Sequence, residues 1–257
     1  MLDARRRELL KTMGIDLWQQ RDVEPVQGEP SPEWIDSPPE ASSQAPISSA
    51  QPSVESSVSD SAPTLSDIEP AALGWDELGN MVSACTRCAL HQGRRQAVFG
   101  VGDRHARLMV IGEAPGAEED KKGEPFVGRA GQLLNAMLAA IGFAREQVYI
   151  ANIVKCRPPS NRDPHADEAA ACEGFLHRQV ELVAPDLILS VGRVSAHNLL
   201  HTDAAVGRLR GREHRFQPGD IPLIVTYHPA YLLRRPEEKA KAWQDLQVAH
   251  RLLRSAP

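Results

Sequence analysis

Short, mainly apolar runs alternate with longer amphipathic stretches from residue 71 to the end of the chain. The short runs predict buried strands over 108–111, 148–152, 187–191 and 223–226. The longer stretches predict helices over 72–84, 130–141, 164–183, 194–200 and 237–253. Because strand and helix alternate, the expected fold class is α/β, a three-layer α/β/α domain around a mainly parallel sheet of about four strands.

The first 70 residues have a different composition. Residues 22–70 contain nine prolines, twelve serines and ten acidic residues, but no Lys or Arg. Such a segment buries too little apolar surface to offset its ordering entropy, so a disordered acidic linker is predicted. Residues 1–21 favour a short helix, either a frayed terminal helix or a docking peptide for a protein partner. Residues 71–257 form the predicted globular domain.

The charge of this domain differs from that of the whole chain. The 257 residues are 42% hydrophobic, which suffices for a core, and carry a net charge of −5. Residues 71–257 keep 21 acidic and 24 basic residues, so the domain is mildly basic and tolerates a polyanion. No run is long enough for a membrane span, and the N-terminus lacks the apolar core of a signal peptide. We therefore expect a cytoplasmic protein with no membrane partner.

The four cysteines have informative spacing. Cys85 and Cys88 form a C-x2-C pair, whereas Cys156 and Cys172 stand alone. In a reducing compartment, disulfides are disfavoured. A two-residue gap lets both thiolates of the pair reach one centre, in zinc sites as in iron–sulfur sites. From spacing alone, zinc, an iron–sulfur cluster and structural thiols all remain open.

Polar residues stand at the ends of three predicted strands. Glu113 follows the first strand, Asn152 closes the second, and His228 comes just past the fourth. Because parallel strands end at one edge of a sheet, these side chains are expected to face one crevice. Phe126, in a Gly-rich loop, could stack on a planar ligand. Singly, each residue has a structural explanation; together they predict a ligand site.

Four separated motifs resemble one known family. GEAPGAEED, GEPFVGRAGQLL, NIVKCRPP and YHPAYLLRRP, with the four cysteines, are similar in that order to the iron–sulfur uracil-DNA glycosylases of family 4. The resemblance spans about residues 75–253 and leaves out the first 70. It implies an α/β/α catalytic domain for DNA repair by base excision, which hydrolyses the N-glycosidic bond of uracil. It also implies a [4Fe–4S] cluster on Cys85, Cys88, Cys156 and Cys172.

The resemblance carries residue roles as well. His228 would stabilise charge on uracil O2, Asn152 would pair with the uracil edge, and Phe126 would stack on the ring. Ala114 stands where related families have an Asp, which leaves Glu113 and Glu119 as candidate carboxylates. We assign Glu113 the lead catalytic role and Glu119 a role in shaping the slot against the thymine methyl.

Segment 228–235 looks like the loop that enters the minor groove. Leu232 is predicted to fill the gap left by the flipped base, with Arg234 and Arg235 on phosphates. The alternative is that Leu232 and Leu233 are ordinary core leucines. Arg210 belongs to a second basic run, which either touches the DNA backbone or is a solvated loop. The expected partner is uracil-containing DNA, single- or double-stranded, bound by a monomer associated with the nucleoid.

The sequence is also compatible with other functions. If the protein is not an enzyme, the alternative is a non-catalytic iron–sulfur module that binds DNA or a replication partner. A nucleotide hydrolase is disfavoured because no Lys-Ser or Lys-Thr follows the glycines of the loop. Some related enzymes trap DNA covalently through an inserted histidine loop. Residues 152–165 lack a clear version of that insertion, although they include His165.

Overall fold

The computed structural model describes residues 5, 8, 11–14 and 70–255. In residues 70–255, one six-stranded sheet lies between two layers of helices. The strands are β1 (Val101–Gly102), β2 (Leu108–Gly112), β3 (Tyr149–Asn152), β4 (Leu187–Val191), β5 (Glu213–Phe216) and β6 (Ile221–Thr226). The α-helices are α1 (Trp75–Ala84), α2 (Ala117–Lys122), α3 (Arg129–Ala140), α4 (Ala166–Val183), α5 (Arg193–Leu200), α6 (Val206–Leu209), α7 (Pro229–Arg234) and α8 (Lys239–Ser255).

The sheet has the order β1-β3-β2-β4-β6-β5. Its four central strands, β3, β2, β4 and β6, are parallel, and the two edge strands pair antiparallel to them. The predicted three-layer fold with a mainly parallel sheet is confirmed. The predicted number of about four strands is wrong, because the two short edge strands lack an apolar run that would reveal them.

Alternating residues of the central strands build two cores. Met109 and Ile111 of β2 face a cluster that takes in apolar residues of α1, α4 and α5. Leu108 and Val110 face the opposite cluster, formed with α3, α7 and α8. This alternation follows from the two-residue period of a strand, and burial on both faces explains why β2 and β4 are almost wholly apolar.

The described part of the N-terminal segment packs on the domain. Met13 is fully buried in the cluster that contains α3 and α8, and Gly14 lies close to Nζ of Lys239 at the start of α8. The linker predicted for 22–70 falls outside the described residues apart from Pro70. In the described part of the chain, no helix has the length and apolarity to cross a bilayer.

The fold brings four loops to one edge. The parallel strands end at Gly112, Asn152, Val191 and Thr226, and their registers align these ends. In an open parallel sheet, this edge is where ligands bind.

Candidate active site

A cavity of about 760 Å³ opens at the carboxyl edge of the sheet. Its volume is in the range of small-ligand sites. The predicted residues that line it are Glu113, Ala114, Glu119, Phe126, Asn152, His228 and Arg234. The expectation that the strand ends converge on one crevice is confirmed; the chemical roles assigned to these residues stay predictions.

Asn152 is the buried polar group at the floor of the cavity. Only 2% of the residue is exposed, and its Oδ1 has no hydrogen-bond partner among the described residues. Gly112, its neighbour on β2, permits this placement: a Cβ there would lie 2.5 Å from that oxygen. An unsatisfied buried acceptor costs about 1–3 kcal/mol. A site that tolerates this cost is prepared for a ligand that donates a hydrogen bond.

A buried lysine holds the backbone of Asn152. Nζ of Lys155 donates to the carbonyl of Asn152 at 2.9 Å and to Oε1 of Gln179 at 2.5 Å. Gln179 in turn donates to the hydroxyl of Tyr149 and the carbonyl of Phe99. Because this network is buried and connected, it fixes the end of β3 and therefore the position of the amide.

Phe126 is held in an unusual backbone conformation. Its φ is +53°, in the left-handed region, and its side chain is buried at the cavity. Glu119 fixes the loop, because Oε1 accepts from the N–H groups of Val127 and Gly128 while Oε2 accepts from that of Gly116. Arg145 donates to the carbonyl of Phe126. Strain supported by so many bonds is typical of functional sites.

The sequence of α3 accommodates this loop. A Cβ on Gly131 would overlap the carbonyl oxygen of Phe126, so the first turn of α3 requires glycine here. The Phe126 ring lies 5.6 Å from the His228 ring, measured between centroids, with planes 31° apart. A stacking surface and a hydrogen-bonding ring therefore share one cavity wall.

The protonation of His228 follows from its surroundings. Its Nδ1 accepts the backbone N–H of Ala230 at 3.1 Å, which leaves the ring proton on Nε2. Burial lowers the pKa of His228 to about 4, aided by the positive charge of Arg234 and opposed by Glu119. At neutral pH the ring is uncharged and can donate one hydrogen bond from Nε2.

The pKa of Glu113 is shifted upward, in the direction opposite to that of His228. Burial, together with the charge and hydrogen bond of Asp163, raises the pKa of this carboxyl to about 7, while the charge of Arg193 opposes the shift. Asp163 is ion-paired with Arg193 at the start of α5. A carboxyl group with a pKa near 7 can exchange a proton during a reaction at neutral pH.

Two predicted DNA contacts are wrong in this structure. Leu232 is fully buried in the core that contains α3 and α8, because the turn of α7 directs this side chain inward. Arg210 has a side chain only 14% exposed, since it is ion-paired with the buried Asp245 and donates to the carbonyl of Lys241. Neither residue presents its side chain to a DNA backbone.

The other two predicted contacts lie on the surface. Arg234 and Arg235 are exposed at the end of α7, and Arg234 also lines the cavity. Arg235 lies 3.6 Å from Glu237 in a solvent-exposed ion pair. Their placement is compatible with phosphate contacts, and this role stays a prediction.

Sequence reasoning missed several polar and aromatic residues of the cavity. Asp163, Arg193, Tyr227 and Tyr231 line it, and the two tyrosine rings pack 5.1 Å apart. Tyr227 directly follows the end of β6, and Arg193 comes two residues after the end of β4. The rule that was applied to Glu113 and Asn152 would have found them. Asp163 lies eleven residues beyond the end of β3, and only the folded loop brings it to Glu113.

The four cysteines line a second, smaller cavity between α1, α4 and the loop after β3. Cys156 and Cys172 are buried, whereas Cys85 and Cys88 are half-buried. Three backbone N–H groups, those of Arg87, Leu90 and Lys155, donate to the sulfurs of Cys85, Cys88 and Cys172. Within residues 70–255 and the described N-terminal positions, no group of His, Cys, Asp or Glu is arranged to hold a single metal ion.

The fourth sulfur has a charged donor. Nη1 of Arg94 lies 2.9 Å from Sγ of Cys156. Burial raises the pKa of Cys172 to about 11, against the charge of Lys155, so a thiolate there requires a compensating positive charge. Four thiols that share one cavity and receive N–H bonds form a donor set suited to an iron–sulfur cluster.

Comparison with known proteins agrees with this geometry. Residues 99–247 match the uracil DNA glycosylase superfamily. The type-4 uracil-DNA glycosylase of Archaeoglobus fulgidus is 40% identical over 178 residues, which cover 67% of this chain and 89% of that protein. The type-4 uracil-DNA glycosylase of Thermotoga maritima is 42% identical over 171 residues, which cover 65% of this chain and 88% of that protein. The type-4 uracil-DNA glycosylase of Saccharolobus solfataricus is 40% identical over 189 residues, which cover 71% of this chain and 88% of that protein. The chain therefore belongs to the uracil DNA glycosylase superfamily and, within it, to the type-4 group.

Proposed function

We propose that this protein is a DNA repair enzyme that hydrolyses the N-glycosidic bond of uracil in DNA and leaves an abasic site. The observation that carries the proposal is the buried, unpartnered Oδ1 of Asn152 at the floor of the cavity. Uracil presents an N3–H donor beside the O4 acceptor, which complements the two ends of an amide. Cytosine presents the reverse pattern, so the same amide can discriminate between the two bases.

The reaction begins with extrusion of the nucleotide, because the glycosidic bond cannot be reached inside the duplex. The uracil ring stacks on Phe126 and pairs with Asn152. As the bond breaks, its electrons move onto the base, and the Nε2–H of His228 donates to O2, where negative charge develops. A preorganised donor of this kind contributes about 10²- to 10³-fold in rate.

The sugar becomes an oxocarbenium-like cation that water captures. Glu113 lines the cavity and supplies a carboxyl group to stabilise this cation and to accept a proton from water. Glu119 has both oxygens occupied by backbone N–H groups, so its contribution is to hold the Phe126 loop and to shape the slot.

We also propose that Cys85, Cys88, Cys156 and Cys172 hold a [4Fe–4S] cluster. The donor set fits, because the four sulfurs line one cavity and accept N–H hydrogen bonds. When bound, the cluster would act as a cross-link between the segment before β1 and the loop after β3. Lys155, between Asn152 and Cys156, would transmit this restraint to the base-reading amide.

The wider context follows from the substrate. We infer that Arg234 and Arg235, which are exposed at the end of α7, contact the backbone of single- or double-stranded DNA, and that the enzyme acts as a monomer on the nucleoid. We also propose that the terminal segment 1–21 is a docking peptide for a protein partner.

Excision of uracil from oligonucleotides tests the proposal. Purified protein should release uracil from U·G, U·A and single-stranded substrates and leave alkali-labile sites, whereas Asn152→Ala and His228→Ala should be slower by about 10² or more. Equal cleavage by all three proteins would contradict the catalytic roles proposed for Asn152 and His228. A wild-type protein that binds the oligonucleotide without cleaving it would support the non-catalytic alternative.

A further inference from the structure

The loop between β3 and α4 brings a second carboxyl group to Glu113. Asp163 lines the same cavity and shares a hydrogen bond with the Glu113 side chain. Two carboxyl groups in contact cannot both be ionised at low cost, so the pair holds one proton between them over a range of pH. Arg193, from the other side, forms an ion pair with Asp163 and sets its position.

We propose that Glu113 and Asp163 act as one catalytic carboxyl pair that accepts the proton of the attacking water, and that Arg193 is its positioning residue. The proposal rests on the proposed function. The water oxygen forms a bond to C1′ of the sugar, and its proton goes to the fully ionised pair, which changes from no bound proton to one. The electrons of the broken C1′–N1 bond leave with uracil as its anion. That anion then recovers a proton, from the pair or from solvent.

The loop that carries Asp163 is anchored from within. Arg162 donates to both carboxylate oxygens of Glu168 at 2.8 and 2.7 Å, and the N–H of His165 donates to the same carboxylate. Glu168 is almost fully buried at the start of α4. A loop fixed on both sides of Asp163 can hold this side chain near a reacting centre despite its exposure of 55%.

The third carboxylate of the cavity, its histidine and Arg162 are occupied. Glu119 accepts three backbone N–H bonds, His228 accepts from Ala230, and Arg162 is paired with Glu168. Arg234 is a cation and accepts no proton. Among the described residues that line the cavity, the Glu113–Asp163 pair is therefore the carboxyl group placed to take a proton.

The pair also suits the pH at which such an enzyme works. Burial and the adjacent Asp163 hold the pKa of Glu113 at about 7, against the lowering effect of Arg193. A base with a pKa near the working pH is ionised in a useful fraction and still accepts a proton readily. An isolated, solvated Glu with an ordinary pKa would be the weaker base.

Single-turnover excision of uracil from pH 5 to 9 tests the pair. The wild-type rate should rise with a midpoint near 7. Asp163→Asn should lower the maximal rate by about 10²-fold and move the midpoint to lower pH, because Glu113 loses its like-charged neighbour. Arg193→Met should move the midpoint to higher pH. A purely structural role predicts no such opposite shifts.

Two further variants complete the design. Glu113→Gln combined with Asp163→Asn should be no slower than Glu113→Gln alone, because partners that act as a unit are not additive. Asp167→Asn is the matched control, since Asp167 is an exposed carboxylate four residues away that does not line the cavity. Thermal melts monitor folding, and Asp163→Ser replaces Asp163→Asn if the latter fails to fold.

The outcomes separate the two proposals. If wild type is active and Asp163→Asn matches Asp167→Asn in rate and midpoint, the carboxyl pair is overturned and the proposed function stands. If wild type releases no uracil at any pH, the proposed function fails and the pair fails with it.

Discussion

The backbone N–H of Ala230 donates to Nδ1 of His228 at 3.1 Å, and this single bond caps α7 and sets the tautomer of the ring. With Nδ1 occupied as an acceptor, the proton of the neutral imidazole resides on Nε2. The helix that supports the residue therefore also prepares its chemistry. A neutral donor needs no counterion in a buried site.

The low pKa of His228 predicts how activity depends on pH. The ring should stay neutral down to about pH 4, so excision should show no loss attributable to His228 near its ordinary value of about 6.5. NMR titration of the ring measures the midpoint directly. A His228 midpoint near 6.5 in the folded protein would contradict the assignment.

The lowered pKa of His228 also makes the stability of the protein depend on pH. Because the folded pKa lies below the unfolded one, the unfolded chain binds the proton first as the pH falls. His228 should therefore reduce the free energy of unfolding progressively from about pH 6.5 down to about 4. His228→Gln should lose this dependence, which denaturant melts of both proteins across that range would reveal.

Asn152→Ala should separate activity from stability. The substitution removes the amide that reads uracil, so single-turnover excision should fall by about 10²-fold or more. It also removes an unsatisfied buried oxygen, whose cost of about 1–3 kcal/mol offsets the cavity left behind. The free energy of unfolding should then change by less than about 1 kcal/mol. A loss of several kcal/mol would mean that the amide is satisfied in the free protein.

Gly131 should be intolerant of even one methyl group. Gly131→Ala places a Cβ on the carbonyl of Phe126, which is expected to cost about 2 kcal/mol and to move the stacking ring. Gly79→Ala is the matched control in α1, where a Cβ meets only Phe99 at 3.9 Å and should stabilise the helix by about 0.5–1 kcal/mol. Melts and excision rates distinguish the two, and equal behaviour would exclude the close approach at Gly131.

The sequence pattern predicts the buried central strands well, but it does not predict the edge strands. The strand predicted over 187–191 matches β4 in both bounds, because burial on both faces leaves a continuous apolar run. β5 was not predicted, since Glu213–Phe216 is a polar edge strand with one buried residue. β5 pairs antiparallel with β6, from which it is separated by only four residues, but the polar sequence of β5 lacks the apolar run by which a strand was identified.

In the candidate site, too, some residues can be predicted from the sequence and others cannot. Glu113, Asn152 and His228 could be placed because they follow strand ends. Leu232 was assigned to the wrong environment, because the phase of the short helix α7 decides which of two adjacent leucines faces the core. The contact between Glu113 and Asp163 required the folded path of a long loop, which the sequence does not specify by spacing.

Arg94 should tune the proposed cluster. Its Nη1 donates to Sγ of Cys156 at 2.9 Å, which favours the more negative, reduced form of a cluster held there. Arg94→Met should make the reduction potential more negative and the absorbance near about 400 nm less persistent in air. Arg95→Met, an exposed neighbour, is the control. Equal potentials for the two variants would show that Arg94 does not act on the cluster.

Met13 should link the N-terminal segment to the stability of the domain. Its side chain is fully buried in the core that contains α3 and α8, so Met13→Ala should lower the free energy of unfolding by about 2–4 kcal/mol. Deletion of residues 1–70 should cost at least as much, while excision from short oligonucleotides at low temperature remains nearly intact because Met13 does not line the active-site cavity. Melts of the full chain, Met13→Ala and the truncated protein measure this. If the truncated protein were as stable as the full chain, the segment would be available to dock on a partner.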